Sequence, residues 1–103
     1  MMTKLMCEID DLTEKELTRA NADYPLFASE HEGYAILLEE LEEAEHDMIA
    51  LEKVINGMWQ LIKRNEKSKA QAEIVMGYAK HMAAESVQVA AMAQKYIDSS
   101  MEE

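Results

Sequence analysis

The chain has 103 residues, of which 49% are hydrophobic, and a formal net charge of −11. That length suits a single domain, residues 1–103, and small all-helical chains often complete their core by oligomerising. The negative charge opposes contact with a phosphate backbone, so we expect no direct nucleic-acid binding. No run approaches the roughly 18 apolar residues of a membrane span. The lone Cys7 and the acidic N-terminal segment lead us to expect a reduced, cytoplasmic protein.

The N-terminal part gives one clear local signal. Residues 1–12 fit no single pattern and are left as an uncertain segment. Thr13 followed by Glu16 fits a capping box, in which two side chains satisfy the first backbone amides of a helix. The box predicts a short helix over residues 13–23, which should end before Pro25 because proline disfavours helix in its predecessor.

Two long helices are predicted after that proline. Ser29 and Glu32 form a second capping box directly ahead of a long apolar periodicity, which predicts a helix over residues 30–64. A polar connection leads to a third helix over residues 70–99. No strand of useful length is predicted, so the fold class is all-α: a helical bundle of two long antiparallel helices plus a short N-terminal helix, completed by oligomerisation.

The first long helix combines an apolar seam with a dense acidic patch. Six acidic residues fall within the nine positions from Glu39 to Asp47. Glu40, Glu43 and Asp47 form a column at i, i+3 and i+7 that is apolar above and below. We expect these carboxylates to be half buried and to meet positive charge. The seam itself consists of heptad positions a (Tyr34, Leu41, Met48, Ile55, Ile62) and d (Leu37, Ala44, Leu51, Met58).

The third helix carries one carboxylate inside an apolar stripe. Glu85 interrupts a regular series of large side chains, and its polar flank consists of His81, with which it is expected to pair, and Gln88. A lone ionised carboxylate in such a stripe costs several kcal/mol unless it is paired or bound to a cation. The rest of the stripe is apolar (Tyr78, Met82, Val89, Met92, Tyr96).

Two helices that each offer carboxylates to one packing surface predict a divalent metal site. Oxygen ligands suit Mg²⁺, which keeps coordination positions for water and substrate phosphates. The alternative is a solvated acidic face, which fits Glu39, Glu42 and Glu45 on the far side of the helix better than it fits Glu40, Glu43 and Glu85.

The same segments resemble a known enzyme family. Residues 39–43, EELEE, look like the EExxE signature of MazG-type all-α nucleoside triphosphate pyrophosphohydrolases. Residues 85–97, ESVQVAAMAQKYI, are similar to the second-motif helix of short phage- and prophage-encoded relatives, as is the lead-in HEGYAILLEE over residues 31–40. The resemblance covers about residues 29–99. It implies Mg²⁺-dependent cleavage, with Mn²⁺ as a possible substitute, of an NTP or dNTP to the monophosphate and pyrophosphate.

The family roles transfer residue by residue. Glu40 and Glu43 match the metal ligands of the first motif, Glu39 the adjoining acid that would accept a proton, and Glu85 the first acid of the second motif. Gln88 stands where better-characterised members have Asp and is a neutral candidate ligand, whereas Asp47 is the candidate to replace the missing carboxylate. Phosphate-facing cations would come from a wider set (Lys53, Lys63, Arg64, Lys80, Lys95).

Two other functions fit the same pattern. One is a non-catalytic helical interaction or assembly module of phage or prophage origin, whose heptads dimerise and whose acids keep it soluble. The other is a di-iron carboxylate bundle, in which Glu43 and His46 supply the Glu-x-x-His motif and a dimer partner completes the site. The first predicts no metal dependence, and the second predicts iron in the purified protein. For the enzyme, too, we expect a homodimer or tetramer.

Overall fold

A computed structural model of the protein describes residues 2–100, which form three helices. These are α1 (Met2–Ala20), α2 (Glu30–Lys63) and α3 (Lys69–Ser99). No strand occurs within the described residues, so the all-α prediction is confirmed. None of these helices is both long and apolar enough to cross a membrane.

The first helix is longer than the sequence predicts. It begins at Met2 rather than at Thr13, and it has 19 residues. The Thr13 hydroxyl donates a hydrogen bond to the Ile9 carbonyl at 2.8 Å, so it bonds back to the preceding turn of a continuous helix instead of starting a new one. Within residues 2–100, α1 packs against α3 and makes no such packing contact with α2.

The second helix starts where its capping box predicts. Ser29 is the N-cap, and its Oγ accepts a hydrogen bond from the Glu32 amide at 3.1 Å. The Glu32 carboxylate in turn accepts from the Ala28 amide at 2.6 Å. The first bond satisfies a backbone donor that the first turn of a helix otherwise leaves open, and the second ties the residue before the N-cap to the same turn.

A tight turn joins α2 to α3. Asn65 has a φ of 59°, the left-handed conformation that Asn tolerates better than most residues. The Glu66 amide donates to the Leu61 carbonyl at 2.9 Å and the Asn65 amide to the Ile62 carbonyl at 3.0 Å, which is the Schellman arrangement. The turn reverses the chain, and α2 and α3 form an antiparallel hairpin.

α3 covers one half of the heptad seam on α2 and leaves the other half open. The d-position side chains of α2 are half buried. The a-position side chains are between 46% and 63% exposed. We call these five residues the a stripe (Tyr34, Leu41, Met48, Ile55, Ile62).

The best-buried part of the hairpin lies toward the C-terminal half of α3. Ala91, Met92 and Lys95 are buried there, and Gly33 of α2 is buried against this end of α3. Lys95 is only 6% exposed, and its Nζ lies 4.8 Å from the centroid of the Phe27 ring. The radius of gyration is 17.7 Å, beyond the roughly 13 Å of a compact chain this long, so much of each helix lies outside a shared core.

Candidate metal centre

Three glutamates from two helices converge on one point. Glu40 and Glu43 are one turn apart on the same face of α2, and Glu85 comes from α3. One carboxylate oxygen from each lies within 4.8 Å of the other two. Glu40 and Glu85 are half buried and Glu43 is exposed. The antiparallel hairpin therefore brings together the three residues that most strongly interrupt the apolar strips of the sequence.

The protonation of Glu40 reflects this crowding. Burial disfavours its charged form, and the neighbouring carboxylates of Glu43, Glu85 and Glu39 add repulsion, which together raise its pKa from 4.5 to about 7. A carboxyl group with such a pKa is partly protonated at neutral pH unless a cation binds. The cluster therefore favours either protons or a metal ion.

One carboxylate oxygen of Glu85 also lacks a partner within residues 2–100. Its Oε2 is buried and has no hydrogen-bond partner among the described residues. Its pKa is raised, first because Glu43 would share a hydrogen bond with the protonated form, then because of burial and repulsion from Glu43. Two carboxylates cannot donate to each other, so this contact is a hydrogen bond only when one of them carries a proton.

The donor set fits a hard divalent cation. Glu40, Glu43 and Glu85 would supply three carboxylate oxygens to a bound ion, and Mg²⁺ or Mn²⁺, which prefer oxygen ligands, would complete their coordination with water and phosphate oxygens. The cluster contains no histidine, and His46 is exposed and outside it. Within one copy of the chain, His46 therefore supplies no ligand to this cluster, and the dimeric di-iron alternative stays a prediction.

Two further residues from the sequence prediction lie beside the cluster. Glu39 is exposed on α2 next to Glu40, where solvent can reach it. Gln88 is half buried on α3, three residues beyond Glu85. Their roles as proton acceptor and neutral ligand stay predictions.

Asp47 has a different partner from the one expected. It lies outside the three-glutamate cluster, and its Oδ2 is 2.6 Å from Nδ1 of His81. His81 was expected to pair with Glu85, but the register of the hairpin brings Asp47 opposite it instead. The hydrogen bond that the imidazole donates to Asp47, and then the negative charge of Asp47, raise the pKa of His81, so the pair favours the charged imidazolium.

Comparisons with protein-family models, curated proteins and solved structures found no match to this chain. Three features of the structure indicate a candidate metal site: the convergence of Glu40, Glu43 and Glu85, the unpaired oxygen of Glu85, and the raised pKa of Glu40.

Proposed function

We propose that this protein is a Mg²⁺-dependent nucleoside triphosphate pyrophosphohydrolase, which hydrolyses an NTP or dNTP to the monophosphate and pyrophosphate. Glu40, Glu43 and Glu85 would hold the metal. The observation that carries the proposal is their convergence around an unpaired, buried Glu85 oxygen. Keeping three carboxylates this close together costs free energy unless a cation neutralises them. Ionisable groups with shifted pKa values concentrate at functional sites.

The net charge of the chain supports a metal-dependent reaction. A protein with a formal charge of −11 repels a free triphosphate, and a cation held between the two removes that repulsion. When bound, Mg²⁺ draws charge from phosphate oxygens and makes nearby water more acidic. Positioning and electrostatic stabilisation account for most of the catalysis in phosphoryl transfer.

The residues of the chain divide the chemical work. Glu40, Glu43 and Glu85 fix the site of charge neutralisation. Water attacks the α-phosphorus in line with the bond to the β-phosphate. That P–O bond breaks, and pyrophosphate leaves with the bond electrons. Glu39, exposed beside the cluster, accepts the proton from the attacking water.

The proposal is tested by product analysis. Purified protein is incubated with each NTP and dNTP in Mg²⁺ or Mn²⁺, and the products are separated. We expect wild type to release monophosphate and pyrophosphate, and the double variant Glu40→Gln, Glu43→Gln to lose at least about a hundredfold in rate, because two of the three charged ligands become neutral.

The matched control is Glu42→Gln, Glu45→Gln, which removes two exposed acids of the same helix that lie outside the cluster. It should retain activity. If wild type cleaves none of the nucleotides, or if the two double variants cleave them at equal rates, the proposed reaction is refuted.

The a stripe supports a second part of the proposal, assembly into a homodimer or tetramer. It runs along the length of α2 with each of its large side chains roughly half exposed. Large apolar side chains exposed along one face of a helix mark a site of protein association, and the same stripe on a second copy is a self-complementary partner. This surface also favours the alternative function, a non-catalytic assembly module, which would keep the oligomer and show no cleavage.

Placing a charge in the stripe should separate the copies. We expect Ile55→Lys to weaken self-association by about a hundredfold, because each copy would bury an unpaired ammonium group. The control is Gln60→Lys, an exposed position of α2 outside the stripe, with the same added charge. Sedimentation equilibrium measures both. Equal association of the two variants, or a monomeric wild type, would contradict the assignment of this surface.

A further inference from the structure

The groove between α2 and α3 continues beyond the carboxylate cluster with a different chemistry. One turn further along the hairpin, the Asp47–His81 pair bridges the two helices. The same pair lines a surface depression together with Ile74, Gly77 and Tyr78 of α3. We call the surface between α2 and α3 from the three-glutamate cluster to this depression the groove. Along it, the side chains change from the acidic cluster, through the imidazole of His81, to apolar residues.

His81 is well placed to meet an anion in this groove. Its Nδ1 is held by Asp47, its side chain is 66% exposed, and it lies four residues before Glu85 on the same helix, about 6 Å along the axis. Asp47, by contrast, is only 14% exposed on its side chain, so the pair presents the imidazole rather than the carboxylate to solvent.

Three of the other candidate cations are less suited to this role. Lys95 is buried over the Phe27 ring, and Lys63 lies 5.7 Å from the centroid of the Trp59 ring. Arg64 pairs with Glu66 at 3.4 Å beyond the end of α2.

The apolar part of the groove lies at the right distance for the rest of a nucleotide. From Glu85 to Ile74 the helix rises about 16 Å, which is comparable to the length of an extended nucleoside triphosphate. Ile74 is 48% exposed and Tyr78 offers an aromatic ring. A β-carbon added at Gly77 would have no atom within 4 Å, so the depression is open at this point.

From this order of groups we infer that a nucleotide lies along the α2–α3 groove, with the imidazole of His81 on its phosphates and its sugar and base in the Ile74–Gly77–Tyr78 depression. Asp47 is a positioning residue that holds His81 toward the phosphates. The inference rests on the proposed function, because it takes the three-glutamate cluster as the metal end of the groove.

Binding measurements on two variants test the two halves of the groove. The probes are Mn²⁺ alone, Mg²⁺ with inorganic tripolyphosphate, and the α,β-methylene analogue of a nucleoside triphosphate. We expect His81→Gln to bind tripolyphosphate and the analogue about tenfold more weakly, with Mn²⁺ affinity unchanged, since one charge-assisted hydrogen bond is lost. Gly77→Met should weaken the analogue alone, because its side chain fills the depression.

Matched controls are His31→Gln, an exposed histidine in the first turn of α2, and Gly57→Met, whose surroundings are as open as those of Gly77. Both should bind all probes as wild type does. If wild type binds Mg²⁺ with tripolyphosphate and His81→Gln or Gly77→Met binds every probe equally well, the inferred placement is overturned while the proposed function stands. If wild type binds no Mg²⁺–tripolyphosphate, the proposed function fails and the inference with it.

Discussion

In metal-free buffer at pH 8, Glu40→Gln is expected to be more stable than wild type by about 1 kcal/mol. The pKa of Glu40 is raised from 4.5 to about 7, so keeping it ionised in the folded state costs free energy. Without solvent screening, at about 1.4 kcal/mol per pKa unit, the shift corresponds to roughly 3.5 kcal/mol. Solvent screens this partly exposed group, which reduces the figure to about 1 kcal/mol. Glutamine keeps the shape of the side chain and removes the charge.

The same shift sets the pH dependence of the metal-free protein. Between pH 4.5, the ordinary pKa of the carboxyl, and about 7, its pKa in the fold, the folded state binds more protons than the unfolded state. Stability therefore falls as pH rises through this window. Urea unfolding at pH 5 and pH 8 should show a smaller fall for Glu40→Gln than for wild type.

Divalent metal should reverse the order of stability. A ligand present at a hundred times its Kd stabilises the folded state by about 2.7 kcal/mol. Saturating Mg²⁺ should therefore raise the free energy of unfolding of wild type above that of Glu40→Gln, which has lost one of three charged ligands. The control Glu42→Gln removes an exposed acid outside the cluster and should follow wild type in both conditions. An identical response of wild type and Glu40→Gln to Mg²⁺ would show that Glu40 holds no metal.

The carboxylate cluster could be predicted because each helix encodes its own part. Spacing within α2 places Glu40 and Glu43 on one face, and the apolar stripe of α3 identifies Glu85 as the exception. The cap at Ser29 likewise depends on residues a few positions apart. Features of this kind need no knowledge of how the helices meet.

Contacts between different helices could not be predicted in this way, because they depend on the register in which the helices pack. His81 was assigned to Glu85, its neighbour on the same helix, whereas the register of the hairpin brings it to Asp47. The a and d positions of the heptad pattern are both apolar, so the pattern does not predict that α3 covers the d positions and leaves the a stripe exposed. The early start of α1 was missed because Thr13 resembles a cap, although its hydroxyl bonds to Ile9 within the helix.

Gly33→Ala is expected to destabilise the protein by about 2 kcal/mol, although alanine is the better helix former. A β-carbon at Gly33 would lie 2.5 Å from Cδ2 and 2.9 Å from Cε2 of Tyr96, closer than two carbon atoms can approach. Either the aromatic ring or α3 itself must move, and overpacking of this kind costs about 1–3 kcal/mol. Gly33 is seven residues before Glu40 on the face of α2 that meets α3, so this contact helps to set the helix spacing near the cluster.

The same substitution at Gly57 provides the matched control. A β-carbon there has no atom within 4 Å, so Gly57→Ala should stabilise α2 by about 0.5–1 kcal/mol through helix propensity alone. Urea unfolding would then separate two identical substitutions in one helix by roughly 3 kcal/mol. If the Tyr96 ring is the obstacle, Gly33→Ala should cost much less in a Tyr96→Leu background. Equal stabilisation by both alanines would mean that α2 and α3 do not approach closely at Gly33.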